Sequence, residues 1–260
     1  MRMVSKFVCA VALLAGMVLV GCGRDGSVES PNTVAPKSSE PRLTELKSED
    51  IVVGEGPVLA EGDAAYVTYT GTLADGTEFD SNDRPDGTPF RFVVGAGMVI
   101  RGWDEGVVGM RVGGTRRLSI PAEKAYGNRA QGKIPANSDL FFEIRLLDKI
   151  SPNEDRVLEP IDKVVGTGRE IRDGSKVTIE YVARLVNGRI VEESKRFNEP
   201  ITFTVGKEEA VVAIERGLIG AREGGVRILR LTPSLMNLGS LRGVAPDSIV
   251  IYEITVKKVQ

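Results

Sequence analysis

The sequence predicts an α+β fold, built twice. Runs that alternate apolar and polar residues, separated by turn signals, recur along the chain, as half-buried antiparallel strands do. A single short stretch in each half spaces its apolar residues as a helix face does. The second half repeats the first at a steady offset of 111–112 residues. Strands with one short helix per repeat argue for an antiparallel sheet with the helix packed on one face.

The chain begins with the layout of an export signal. Arg2 and Lys6 precede an apolar run from Phe7 to Val20, too short for a comfortable membrane span of about 20 residues. The run closes on Leu19-Val20-Gly21-Cys22, which resembles the lipobox of bacterial lipoproteins. That resemblance implies a signal over residues 1–21, cleavage before Cys22 and a lipid on its thiol. It also implies anchoring in the bacterial cell envelope, on the periplasmic face or the cell surface. Gly23 in place of an aspartate leans towards the outer membrane. Residues 22–42 are rich in Ser, Pro, Gly and charge, and read as a solvated tether of about 25 Å as a coil.

The first repeat is expected over residues 43–150. Val67, Tyr69, Gly71 and Leu73 alternate with Thr68, Thr70 and Thr72, and Asp75-Gly76 then turns the chain towards Phe79. The helix falls in GMVIRGWDEGVVGMRVGG (97–114), where Ile100, Trp103 and Val107 share a face and Asp104 and Glu105 sit early, favourably for the dipole. Gly109 stops it. Two turns cannot hold themselves in water, so strands must wrap them. Leu118 and Ile120, then Leu140, Phe142, Ile144 and Leu146, continue the alternation. Ser151-Pro152-Asn153 breaks it and marks the boundary. The second repeat, 154–260, aligns almost without gaps: Tyr69, Leu73 and Gly76 recur as Tyr181, Leu185 and Gly188. Its last strand reads Val250, Tyr252, Ile254 and Val256.

Composition removes several chemistries. The chain has no histidine, which excludes Ser-His-Asp and Cys-His catalysis and the commonest metal ligand. Its two cysteines are Cys9, inside the signal, and Cys22, so an exported form would carry no disulfide and little to hold a metal. The formal charge of −2 gives no sign of nucleic-acid binding. Arg111, Arg116 and Arg117 read as a solvated strand face. Gly95 and Gly97 lack the spacing and the βαβ setting of a phosphate loop. Taken alone, Trp103, Tyr69, Phe90 and Phe142 fit either a plain core or an apolar binding hollow.

Three segments weigh between those readings. VTYTGTLADGTEFDS (67–81), PFRFVVGAGMVIRGWDEGVVGM (89–110) and AYGNRAQGKIPANSDLFFEI (125–144) together resemble the FKBP family of peptidyl-prolyl cis-trans isomerases. The resemblance implies a five-stranded antiparallel sheet curled around the short helix in each repeat. It implies an aromatic-lined hollow in which Tyr69, Asp80, Trp103, Tyr126 and Phe142 are catalytic. Phe79, Phe90, Val99, Ile100 and Ile134 would bind substrate there. Trp103 would be the floor under a proline ring. The Tyr126 hydroxyl and the Ile100 N–H would meet the substrate backbone, and Asp80, beside Tyr69, would face the amide carbonyl. The Asn82–Thr88 loop looks slightly long for the family, and Arg84 would be the partner of Asp80. The implied ligands are proline-containing peptides, unfolded exported proteins and macrolides such as rapamycin, with no cofactor and no metal. The alternative is a chaperone or peptide-binding module in which turnover is incidental. In the second repeat the offset puts Val191, Glu192, Ile201, Ile214, Leu238, Ala245 and Tyr252 at the positions of Phe79, Asp80, Phe90, Trp103, Tyr126, Ile134 and Phe142. A fold without the isomerase is expected there.

Overall fold

The computed structural model describes residues 42–152, 154, 159–194, 200–236, 241 and 243–260. The expected signal and tether, with Cys22, lie outside the described residues except for Arg42. The strands of the first domain are β1 (Lys47–Val52), β2 (Ala64–Thr72), β3 (Glu78–Ser81), β4 (Phe90–Val93), β5 (Thr115–Ile120) and β6 (Leu140–Ile150), with α1 (Arg101–Gly106) between β4 and β5. They form one antiparallel sheet in the order β1-β5-β6-β2-β3, and β4 also pairs with β2. Four of the five expected positions are thus single strands. The fifth is shared by β4, which pairs with Ala64–Val67, and β3, which pairs with Thr70–Thr72.

The gap between β3 and β4 is closed by one side chain. Asn82 Oδ1 accepts from the Tyr69 N–H at 2.7 Å, and Asn82 Nδ2 donates to Val67 O at 3.2 Å and to Thr88 O at 3.0 Å. A side-chain amide carries one acceptor and two donors, so it can stand in for the backbone of a missing strand residue. The 82–89 loop is therefore tied into the sheet edge.

The second domain repeats this plan with β7 (Ile161–Val164), β8 (Lys176–Leu185), β9 (Ile190–Glu193), β10 (Ile201–Thr204), α2 (Val212–Leu218), β11 (Val226–Leu231) and β12 (Val250–Val259). Its sheet runs β10-β8-β12-β11-β7, with β9 also on β8. The two ladders agree residue by residue. Gly71 lies opposite Phe142 and Asp80 in the first, and Ala183 opposite Tyr252 and Glu192 in the second. At these positions the correspondence drawn from the sequence offset is the structural one.

The inward face of each sheet buries its helix. In the first domain Leu118, Ile120, Leu140, Ile144 and Leu146 pack with Val67 and Phe92 against Trp103 and Val107. The helix can lie this close because two of its residues are glycine. A Cβ on Gly102 would meet Ile120 Cγ2 at 2.4 Å, and one on Gly106 would meet Leu118 Cδ1 at 2.8 Å. Asp104 does more than favour the dipole: its carboxylate accepts from the Gly95 and Gly97 N–H groups at 2.9 and 3.0 Å and closes the turn before the helix. Glu215 does the same in the second domain with Gly206, Glu208 and Ala210. Burial would raise its pKa, but these backbone donors outweigh it and hold the carboxyl below its ordinary value.

The expectation for Arg116 is corrected. Its side chain is buried, not on a solvated face. Its Nε and Nη2 make a bidentate pair with Asp50 at 2.6 and 2.9 Å, and Nη1 donates to Gly106 O and Val108 O at the end of α1. A guanidinium can satisfy a carboxylate and the orphan carbonyls of a helix C-terminus together, which is why the position holds arginine. Arg227 repeats each bond with Asp162, Gly217 O and Ile219 O.

The domains pack on each other. Ala64, Tyr66 and Ile150 of the first join Ile249 of the second in one buried cluster. Tyr66 Oη donates to Asp247 O at 2.8 Å, and Arg230 pairs with Asp148 through Nε at 2.8 Å and Nη2 at 2.9 Å.

Candidate functional site

The hollow of the first domain lies between α1 and the inward faces of β2, β3, β4 and β6. Each strand delivers an aromatic ring to it. The centre is Trp103, 4% exposed. Four rings present edges or tilted faces to its indole: Tyr69 at a centroid distance of 5.0 Å, Phe142 at 5.2 Å, Phe92 at 5.5 Å and Phe90 at 6.1 Å. Phe79 completes the wall, T-shaped against Phe142 at 5.5 Å. Edge-to-face pairs of this kind set the positive rim of one ring against the negative face of another.

A glycine makes the wall possible. At Gly71 a Cβ would fall 2.6 Å from Phe79 Cζ and 2.8 Å from Phe142 Cε1, so only a residue without a side chain lets both rings close over β2. In the second domain Val191 and Tyr252 stand at the two ring positions, and Ala183 stands at the glycine position. The loss of a ring and the gain of a methyl go together.

The rim is polar. Tyr69 Oη donates to Asp80 Oδ2 at 2.6 Å. Burial, then this carboxylate, pushes the Tyr69 phenol well above its ordinary range, so it keeps its proton and donates at any working pH. Arg84 does not take the role expected of it: it faces Glu78 at 3.7 Å, and the partner of Asp80 is Tyr69. Tyr126 follows a 3₁₀ turn (Ala122–Lys124); it is 40% exposed, and its phenol is close enough to raise the pKa of Tyr69. The turn is pinned by Asp139, which accepts from the Ala122 N–H at 3.0 Å. Val99 and Ile100 are half-buried against the core, and Ile134 is buried. The Ile100 C=O accepts from Trp103 N at 2.9 Å, while its N–H makes no hydrogen bond among the described residues. Of the ten residues expected in the hollow, ring contacts join Tyr69, Phe79, Phe90, Trp103 and Phe142, a hydrogen bond joins Asp80 to Tyr69, and Val99, Ile100 and Ile134 pack in the same core cluster. Phe92 and Asn82 were not expected. The Phe90-x-Phe92 alternation was a signal for Phe92, while nothing local marks Asn82 as a bridge.

The second domain presents a different surface. Ile214 occupies the indole position and is buried. Among the described residues, Tyr181 and Tyr252 are its one close pair of rings, 5.5 Å apart. Burial and then the charge of Glu192 raise the Tyr252 phenol to about 12. Leu238 lies outside the described residues.

The model of the FKBP-type peptidyl-prolyl cis-trans isomerases matches twice, over residues 56–147 and 167–257. The chain belongs to the FKBP family. FK506-binding protein 4 of Gibberella zeae is 50% identical over 100 residues, 38% of this chain and 20% of that protein. FK506-binding protein 4 of Saccharomyces cerevisiae is 50% identical over 99 residues, 38% of this chain and 25% of that protein. The chain thus spans about a fifth to a quarter of these relatives. The crystal structure of the three FKBP domains of wheat FKBP73 aligns with 83% of the chain and 94% of its own at 18% identity and a TM-score of 0.38. These FKBP relatives also correct one expectation. The FK506-binding proteins of Gibberella zeae, Aspergillus oryzae, Neurospora crassa and Saccharomyces cerevisiae are fungal and therefore eukaryotic, which overturns the lipid-anchored location in a bacterial cell envelope. Among the described residues no helix is long and apolar enough to cross a membrane.

Proposed function

We propose that the first domain, residues 43–150, catalyses cis–trans isomerisation of X–Pro peptide bonds. In this reading Tyr69, Asp80, Trp103, Tyr126 and Phe142 act on the twisting amide. Phe79, Phe90, Val99, Ile100 and Ile134 grip the proline and its neighbour. The observation that carries it is the indole of Trp103 enclosed by four rings with the bonded Tyr69–Asp80 pair at the rim.

Such a hollow suits the reaction. Rotation about an amide costs about 18–20 kcal/mol because it breaks resonance. Uncatalysed X–Pro exchange takes tens to hundreds of seconds. At the twisted state the carbonyl has lost part of its polarity, so an apolar enclosure favours it over the planar amide relative to water. Each ~1.4 kcal/mol of that preference gives a factor of ten in rate. The flat indole supports the proline ring, and the Ile100 N–H offers a donor to a substrate carbonyl. No group on the protein needs to change its covalent state. Proline-containing segments of unfolded chains are the substrate class; with the envelope location withdrawn, nothing narrows it to exported proteins. Macrolides of the FK506 and rapamycin type would compete for the same rings, a reading supported by the name of the fungal relatives. The second domain, without an indole or Phe79 and Phe90, is read as catalytically silent. The test is exchange of an X–Pro peptide, followed by NMR, with and without rapamycin: turnover that rapamycin abolishes is expected, and no turnover above the uncatalysed rate would refute the proposal.

A further inference from the structure

The hollow of the first domain has one weak wall. Between Asp80 and Phe90 the chain leaves the sheet, and Asp83, Arg84, Pro85 and Asp86 are exposed. Among the described residues the one ion pair of this segment, Arg84 with Glu78 at 3.7 Å, is itself exposed and worth little. A segment with so few buried contacts opens locally at small cost. Its position nonetheless matters, because hydrogen bonds run from it to the site. Gly87 N donates to Arg84 O at 2.9 Å and Arg84 N to Asn82 O at 2.9 Å, while Asn82 holds Thr88 O and the Tyr69 N–H. A Cβ on Gly87 would lie 2.1 Å from Asn82 O, so the loop is folded tightly on itself.

The second domain reaches this loop. The turn joining β8 to β9 is preformed: Gly188 N donates to Leu185 O at 2.8 Å, Leu185 N to Arg189 O at 2.9 Å, and Asn187 Oδ1 accepts from Arg189 N at 3.2 Å. From it Asn187 Nδ2 donates to Gly87 O at 2.8 Å, and Arg189 Nη1 donates to Asp86 O at 3.3 Å. Both bonds go to backbone carbonyls of the loop. They therefore restrain its path and not a side chain that could swing away.

We propose that Asn187 and Arg189 are positioning residues for isomerisation in the first domain. The second domain, stripped of its own ring cage, serves as a brace that holds the 82–89 wall, and through it Tyr69 and Phe90, in the arrangement that takes substrate. This rests on the isomerase reading above. It also gives the duplicated domain a use that does not depend on a pocket of its own. With the brace removed, the competent wall is only one of several states. Apparent affinity then falls by the fraction of time the wall is in place, whereas saturating substrate selects that state and restores the full rate. The expected signature is a higher KM with kcat preserved.

The experiment uses the full chain. Asn187→Asp keeps the acceptor that closes the turn but sets a carboxylate against Gly87 O, and Arg189→Met removes the second donor while keeping most of the stem. Interdomain bonds elsewhere, among them Tyr66 to Asp247 and Arg230 to Asp148 and to Lys149 O, are untouched, so the midpoint of thermal unfolding should move little. The double variant should show a three- to tenfold higher KM for an X–Pro peptide, kcat within twofold, and faster amide exchange at residues 82–89 and at Tyr69. Arg189→Lys, which retains a donor, should stay within twofold of wild type in each. Unchanged KM, or unchanged exchange in the loop, would overturn the brace, as would a loss of kcat at constant KM. A wild-type chain with no turnover would instead sink the isomerase reading, and the exchange of the loop would still decide whether the second domain restrains it.

Discussion

Replacing Trp103 by isoleucine asks whether the indole serves the reaction or only the core. The second domain makes the choice of residue informative, since Ile214 stands at the same point and is buried in a folded domain. The replacement is not neutral in the first domain, because the surrounding rings were fitted to an indole. Four aromatic contacts disappear together. At the low end of about 0.5 kcal/mol for each ring pair these amount to about 2 kcal/mol. Truncating a buried tryptophan to alanine costs about 3–5 kcal/mol, and isoleucine refills part of the space. A loss of about 2–4 kcal/mol from the first domain is therefore expected, enough to measure and less than the stability of most domains. Trp103 is the only tryptophan, so unfolding must be followed by circular dichroism and not by fluorescence. Turnover by the folded variant, measured on the full chain well below its unfolding midpoint, should fall at least tenfold. The full chain is the right object because the residual rate also bounds any contribution from the second domain. A folded Trp103→Ile chain with turnover within threefold of wild type would refute the assignment of the indole as the floor of the site.

Three further expectations follow from single contacts. Tyr69→Phe deletes the donor to Asp80 while keeping the ring against Trp103, so turnover should fall about three- to tenfold, with stability changed by no more than about 1 kcal/mol because Asp80 is exposed; equal activity would place the pair outside the chemistry. Gly71→Ala forces a methyl into Phe79 and Phe142, and should cost about 1–3 kcal/mol and weaken macrolide binding measured by calorimetry, whereas Ala183→Gly in the second domain should leave that binding unchanged. The Arg116 hydrogen bond holds the Asp50 carboxyl below its ordinary value of 3.8, and Arg227 does the same for Asp162. A depressed carboxyl stabilises the fold above its unfolded-state pKa and loses that contribution as pH falls through the folded one. Stability measured by urea should thus decline below about pH 4, and the decline should be shallower in Asp50→Asn and Asp162→Asn chains, which begin less stable.

Much of the fold was legible because it is written in local patterns. Alternation at Val67–Leu73 and Leu140–Leu146, the Asp75-Gly76 turn and the Ile100-Trp103-Val107 face each follow from a period that the backbone imposes. The repeat was plain from residue identity at a fixed offset, and the ladders reproduce it. The ten residues of the hollow were legible for another reason. Three motifs in order matched a known family, and in the folded chain the rings of Tyr69, Phe79, Phe90, Trp103 and Phe142 do meet. What remained hidden depends on contacts between residues far apart in sequence. Arg116 and its neighbours Arg111 and Arg117 look alike as text, but Arg116 alone faces the end of the helix and Asp50, which lies 66 positions away on the neighbouring strand. Asn82 looks like any loop asparagine until the split between β3 and β4 leaves Thr68 and Tyr69 without a partner on that edge of β2. Gly71 looks like a weak point in a strand until two rings are seen to need its missing methyl. The embrace of the 82–89 loop by Asn187 and Arg189 spans about a hundred residues, with partners 100 and 103 positions apart. Periodicity and motif fix which face of an element is apolar and which family it resembles. Which polar side chain meets which carbonyl is decided only when the elements pack, because a hydrogen bond is set by distance and direction in space and leaves no local pattern in the chain.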